Sequence, residues 1–150
     1  MRSTNFKELE RFRDKIEQEL GEEQIQAFIE SCARELAARL LRKVIKRTPV
    51  GQYPHRVGGT LRRGWTAGED KNGALYANSL DVIRSGDSYT IEIINPVKYA
   101  SYVEFGHRTR NHRGWVEGKF MLTISAQEIQ DAAPAILERK LQKKLKEIFK

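Results

Sequence analysis

Residues 22–47 read EEQIQAFIESCARELAARLLRKVIKR. Ile25, Phe28, Ile29, Cys32, Leu36, Leu40, Leu41, Val44 and Ile45 recur there at spacings of three and four, the apolar stripe of an amphipathic helix. The spacing predicts a helix from Glu22 to about Arg47. Pro49 cannot continue it, and Thr48 before it is pushed toward extended geometry. At 1.5 Å per residue such a helix is about 39 Å long, so it is expected to be the spine of the domain. Upstream, Ser3, Thr4 and Asn5 can cap a first helical turn. Phe6, Leu9, Phe12, Ile16 and Leu20 then outline one stripe, with Gly21 as the closing C′ residue.

Downstream, residues 48–60 hold Pro49, Gly51, Pro54, Gly58 and Gly59 and read as a loop. Leu61–Thr66 is taken as the start of a strand. Leu80 to Arg84 and Tyr89 to Asn95 alternate about the turn Ser85-Gly86-Asp87-Ser88, which predicts an antiparallel meander of three or four strands ending at Pro96. Val97–Phe105 fits a short helix with Tyr99, Ala100, Tyr102 and Val103 inward, stopped by Gly106. Residues 107–114 read as a basic loop, and Trp115–Leu122 as a return to the core. Ile124, Ile129, Ile136, Leu137, Leu141, Leu145 and Ile148 outline a C-terminal helix, kinked or divided at Pro134. The expected fold is α+β in one domain, residues 1–150. It has two N-terminal helices (one long), a small antiparallel sheet of three to four strands, a short helix, and a C-terminal helix packed on the sheet.

The length of 150 residues suits a single domain with one core. No apolar run approaches the roughly 18 residues that span a membrane, so no membrane partner is expected. Met1–Glu10 lacks the apolar run of a secretory signal, and the cytoplasm is the expected site of synthesis. The single cysteine excludes an intrachain disulfide and a multi-thiolate zinc site. Net charge is +7, unevenly spread. Segments 1–65, 107–119 and 138–150 carry +5, +3 and +4, while 66–106 and 120–137 carry −3 and −2. Between Glu35 and Glu69 lie eight cations and no acid: Arg39, Arg42, Lys43, Lys46, Arg47, Arg56, Arg62 and Arg63. That stretch suits nucleic acid or an acidic partner, although a solvated helix face with cations at its C-terminus accounts for it more simply.

No set of residues composes an active site. Cys32 lies on the apolar face, as a structural thiol does. His107 and His112 share a loop with Arg108, Arg110 and Arg113, a pattern open to a ribonuclease reading but lacking a patterned carboxylate or second base. Two histidines fall short of a zinc site. Glu104 lies inside an apolar run, where a buried carboxylate must be paired or hydrogen-bonded; the alternatives are a half-exposed helix position beside Arg108 and an intersubunit or loop-fixing salt bridge. Gly58-Gly59 beside Arg62 and Arg63 lacks a phosphate-loop pattern. Trp65 and Trp115 are isolated and fit core or interface anchors better than base-stacking platforms. No cofactor is expected.

Three segments together carry a resemblance. They are Thr48-Pro49-Val50-Gly51 with residues 58–65 (GGTLRRGW), residues 95–109 (NPVKYASYVEFGHRT), and residues 115–122 (WVEGKFML). In this order, between helices, they resemble the gene-ten-like tail-component family of tailed bacteriophages, whose members act at the head–tail junction and also occur in prophages and phage-derived tail particles. Many members have a shorter link where this chain has Gln52–Val57. The resemblance implies a structural virion protein rather than an enzyme. It implies a homo-oligomeric ring, six subunits expected and twelve possible at the connector, which completes the tail tube and joins it to the head. The implied partners are the tail tube protein and the head-completion or connector proteins, with assembly in the host cytoplasm. DNA passes through such a ring without specific binding. Within that picture the interface residues are Gln52, Tyr53, His55, Arg56, Arg62, Arg63, Glu104, His107, Arg108, Arg110, His112, Arg113 and Trp115. The alternatives are a small basic nucleic-acid-binding module and, more remotely, a ribonuclease using His107 or His112.

Overall fold

The long helix is the spine against which the neighbouring helices pack. A computed structural model describes residues 7–69 and 72–149, with side chains from Glu10 onward except Phe12. The expected caps Ser3, Thr4 and Asn5, with Phe6, lie outside the described residues, as do the side chains of Leu9 and Phe12. In chain order the elements are α1 (Lys7–Glu19), α2 (Glu22–Arg47), α3 (Thr60–Gly64), α4 (Gly73–Ser79), β1 (Ile83–Ser85), β2 (Ser88–Thr90), α5 (Ala100–Phe105), β3 (Gly106–Arg108), β4 (Trp115–Glu117) and α6 (Met121–Ile148).

The limits of α2 match the periodicity, and Thr48 is extended before Pro49 (φ −69°, ψ 126°). Gly21 is not a left-handed terminus of α1. It is extended (φ −60°, ψ 164°) and serves as N-cap of α2. One α2 face, Ala37, Leu41 and Val44, meets Leu61, Trp65, Ala77 and Met121 in a single buried cluster. The segment expected to open a strand is instead α3. Gly59 is left-handed (φ 96°) and starts it, and Leu61 and Trp65, four apart, both face the core. The sequence reading did not anticipate α4. Asn72 caps it, its Oδ1 accepting the Leu75 N–H at 2.9 Å. Gly73 and Ala77 then let the backbones of α4 and α2 approach closely: a Cβ on Gly73 would stand 3.1 Å from Leu41 Cβ.

The meander is also corrected. Four short strands form two separate antiparallel ribbons, β1–β2 and β3–β4. Because α4 runs to Ser79, β1 begins only at Ile83, paired with Thr90. The basic segment 107–114 is not a plain loop but the limbs and turn of the second ribbon, with His107 opposite Val116. The C-terminal helix lies along α2 rather than on a sheet. It is continuous through Pro134. Pro134 is exposed, so the carbonyl of the exposed Gln130, four residues back, is left to water.

Charged clamps fix the antiparallel α2–α6 pair. Arg47 and Lys43 both hold Glu128, the latter at 2.6 Å, and Arg47 Nη1 donates to Ser125 Oγ at 2.8 Å. Twelve residues along α6, about 18 Å away, Lys140 pairs with Glu35 at 3.1 Å and donates to the Ser31 carbonyl at 3.3 Å. Hydrogen bonds from Lys43 and then Arg47 hold the Glu128 carboxyl below its ordinary range. Burial pushes the Glu35 carboxyl up, but Lys140 and Arg39 outweigh it and leave the group lowered. Burial raises the half-buried Cys32 thiol, with Lys140 opposing.

Candidate assembly surfaces

The loop after α2 is anchored at Thr48, which is fully buried. Its hydroxyl donates to the Val44 carbonyl at 2.5 Å and accepts the Trp65 indole N–H at 2.7 Å. Its carbonyl accepts two bonds from Arg62, at 3.1 and 2.7 Å. Arg62, expected at an interface, is half-buried and bonds within the subunit. Arg63 is exposed and donates to the Gly58 carbonyl at 3.1 Å. Only glycine fits at 58, since a Cβ there would lie 1.8 Å from the Gly51 carbonyl oxygen. Outside this neck, Gln52, Tyr53, His55 and Arg56 are all exposed. The Arg56 guanidinium lies 4.0 Å from the Tyr53 ring centroid. Val50, Tyr53, Val57, Leu61, Tyr99 and Val103 line much of a cleft of about 430 Å³ between this loop and α5.

The opposite side of α5 leads into the ribbon. Asn95 sets the approach by donating to the Leu61 carbonyl at 2.8 Å. Gly106 ends α5 with φ 89°, and a Cβ there would meet the Val116 carbonyl at 2.5 Å. The turn of β3–β4 is bound to itself. Thr109 N–H donates to the Gly114 carbonyl at 3.0 Å, and the Gly114 N–H donates to Thr109 Oγ1 at 3.0 Å. Asn111 Oδ1 accepts the Arg113 N–H at 3.0 Å. His112, left-handed at φ 58°, is steadied by its N–H bond to the Thr109 carbonyl at 2.8 Å. This turn presents Arg110, His112 and Arg113 to solvent, with Arg108 and Trp115 exposed behind them. His107 is half-buried, its ring 5.7 Å from that of Tyr102, and its Nδ1 is buried with no hydrogen-bond partner among the described residues.

Glu104 makes no salt bridge among the described residues. It is buried, and its carboxylate caps α6: Oε2 accepts the Leu122 N–H at 2.9 Å, and Oε1 accepts the Thr123 N–H and hydroxyl at 2.8 and 2.6 Å. A negative charge there also meets the positive end of the helix dipole. The Glu104 and Val103 carbonyls accept the Phe120 and Lys119 N–H groups at 3.0 and 2.7 Å. Those bonds hold Phe120 left-handed (φ 47°). Gly118 is required beside them, since a Cβ would lie 2.4 Å from the Glu104 carbonyl oxygen. One residue thus ties α5, the ribbon and α6 together.

The aromatic surface around this junction was missed by sequence reasoning. Tyr102 and Phe105 were read as core-compatible helix positions or not singled out, yet they are 59% and 61% exposed, and Trp115 is 56% exposed. Tyr99, also expected inward, is exposed. Phe120 continues the patch, edge-on to Phe105 at 6.5 Å, with exposed Ile124 one turn on. A second unanticipated feature is a groove of about 570 Å³ between α2 and α6, bordered by Arg39, Arg139, Lys140, Lys143 and Lys144. The i, i+4 spacing of Arg139/Lys143 and Lys140/Lys144 was its available signal. Two groups of the expected interface residues emerge: 52–56 with Arg63 around the cleft, and 107–115 on the ribbon. Arg62 and Glu104 belong to neither.

No curated protein and no solved structure matches this chain. A family model described as "Bacteriophage HK97-gp10, putative tail-component" matches residues 10–106, about two thirds of the sequence. That stretch runs from α1 through the Glu104–Gly106 junction, and the ribbon turn and α6 follow it. The chain belongs to the HK97-gp10-like family of bacteriophage tail components.

Proposed function

We propose that this protein is a structural, non-enzymatic part of the phage head–tail junction, a ring that completes the tail tube and joins it to the head connector. The observation that carries this reading is the exposed aromatic patch Tyr102, Phe105, Trp115 and Phe120 beside a stiff basic turn. Contiguous exposed apolar surface rimmed by charge is a protein-docking feature. The cleft beside α5 is a second, different surface. Two different surfaces on one subunit suit heterologous contacts that close by rotation, six subunits being the expected count. Arg63, Arg108, Arg110 and Arg113 act in subunit or ring-to-ring contacts, and the ring assembles in the host cytoplasm.

Six of the eight cations of the acid-free stretch, all but Arg42 and Lys46, are engaged within the subunit, which weighs against a nucleic-acid role. Arg39 pairs with Glu35, and Lys43 and Arg47 pair with Glu128. Arg62, Arg63 and Arg56 are engaged by Thr48, Gly58 and Tyr53. A lumen that passes DNA also works best without gripping phosphates, each of which adds salt-dependent affinity. The test is complementation with Arg108, Arg110 and Arg113 all changed to Ser. Heads and tails then mature separately, and joined particles fall about tenfold or more, the scale on which truncated interface anchors weaken docking. Unchanged joining would overturn the interface role.

A further inference from the structure

Beyond Thr90 the chain keeps the alternation of a strand but has no strand partner among the described residues. Ile91, Ile93, Asn95 and Val97 are half-buried, while Glu92, Ile94 and Pro96 between them are exposed. Since β1 begins at Ile83, opposite Thr90, its ladder stops there. Among the described residues no backbone hydrogen bond ties 91–94 to another segment. The β3–β4 ribbon likewise has two open edges. Two-stranded ribbons are marginal alone, and open edges are templates for an added strand.

The charges are complementary. Continued past Ile83 and Thr90, the β1–β2 register sets Asp81 beside Glu92, both exposed. Arg84, the nearby cation on β1, lies over the Tyr89 ring at 5.7 Å and is engaged by Gln26 Oε1 at 3.1 Å. The ribbon segment 107–119 carries Arg108, Arg110, Arg113 and Lys119 against Glu117, net +3. Each side also offers an exposed apolar side chain, Ile94 on one and Trp115 on the other.

We infer that residues 91–95 of one copy pair edge to edge with the β3–β4 ribbon of a second copy, so that neighbouring subunits share one small sheet. The inference rests on the ring reading above and specifies its contact. The surfaces differ, so the contact is heterologous and repeats from copy to copy until the ring closes. Each subunit gives its acidic edge to one neighbour and its basic ribbon to the other.

Three variants test this by native mass measurement, with circular dichroism as the folding control. Asp81→Lys/Glu92→Lys makes the edge basic, and Arg108→Glu/Arg110→Glu/Arg113→Glu makes the ribbon acidic. Each alone sets like charges against each other at every contact, and the concentration for half-assembly rises about tenfold or more. An equimolar mixture restores opposite charges at every contact of an alternating ring, and assembly returns. Ile94→Pro keeps an apolar side chain but deletes an edge N–H, and it disperses the ring with no rescue by either charge variant. Charge variants that assemble like wild type, a mixture that stays dispersed, or a fully assembled Ile94→Pro each overturn the inference while leaving the ring intact. A wild-type protein that never assembles overturns the ring reading and this inference with it.

Discussion

Replacing Glu104 with Ala is expected to lower folding stability by about 3 kcal/mol, the scale set by several bonds to a buried charged group and a lost helix cap. The carboxylate accepts three hydrogen bonds, from the Leu122 N–H, the Thr123 N–H and the Thr123 hydroxyl. Alanine leaves the two N–H groups at the start of α6 without the carboxylate that accepts from them. In a chain of this size that loss lowers Tm by roughly 6–12 °C. Glu104→Gln keeps the volume but turns an amide NH₂ toward one of the donors and removes the charge from the helix dipole, so about half the loss remains. Hydrogen exchange adds a positional readout: the Leu122 and Thr123 amides speed up most, while the α2 core around Leu41 follows global stability. Glu104→Ala melting within a degree of wild type would contradict the capping role.

Trp65→Ala is expected to cost more, about 3–5 kcal/mol, as large-to-small changes of core aromatics do. Trp65 is 3% exposed and packs in the cluster of Leu41, Val44, Leu61, Ala77 and Met121. Its indole N–H also supplies Thr48 Oγ1, the hub at which α2 ends and the loop begins. Alanine removes the largest core side chain and leaves the Thr48 hydroxyl without that donor. Trp65→Phe keeps most of the apolar volume and loses the hydrogen bond, at about 1–2 kcal/mol. Urea unfolding followed by circular dichroism measures both, since Trp115 is exposed and remains as a fluorophore. A loss under 1 kcal/mol for Trp65→Ala would mean that the core does not close around α3. Total stabilities of about 5–15 kcal/mol leave room for the larger loss to unfold the protein at 37 °C.

Local signals explain what was readable in the sequence. The limits of α2 are set by a long periodic stripe and by Pro49, both within the segment itself. The shape of α3 is decided by distant partners. Gly64 reads as a strand or turn residue, yet it lies in the helix, where glycine is required because a Cβ would stand 2.2 Å from Asn95 Oδ1. The face of α4 toward α2 is built from Gly73 and Ala77, so it carries no apolar stripe to detect. Each strand is three residues long, too short for alternation to separate it from loop. The exposed Arg and His residues of the ribbon were legible because turn chemistry and charge concentrate there. The role of Glu104 was not, because its partners lie 18 and 19 residues away across a ribbon that the sequence reads as loop. Tyr102 and Phe105 have core-like composition, and only the packed structure leaves them uncovered.

The central claim is that this chain works as a closed ring of identical subunits seated on the tail tube. Its most direct test is the native mass of the purified protein, alone and mixed with tail tube. The account predicts a discrete closed multiple of the 17.3 kDa subunit, six copies expected, that shifts onto the tube on mixing. A monomer that ignores the tube would contradict it.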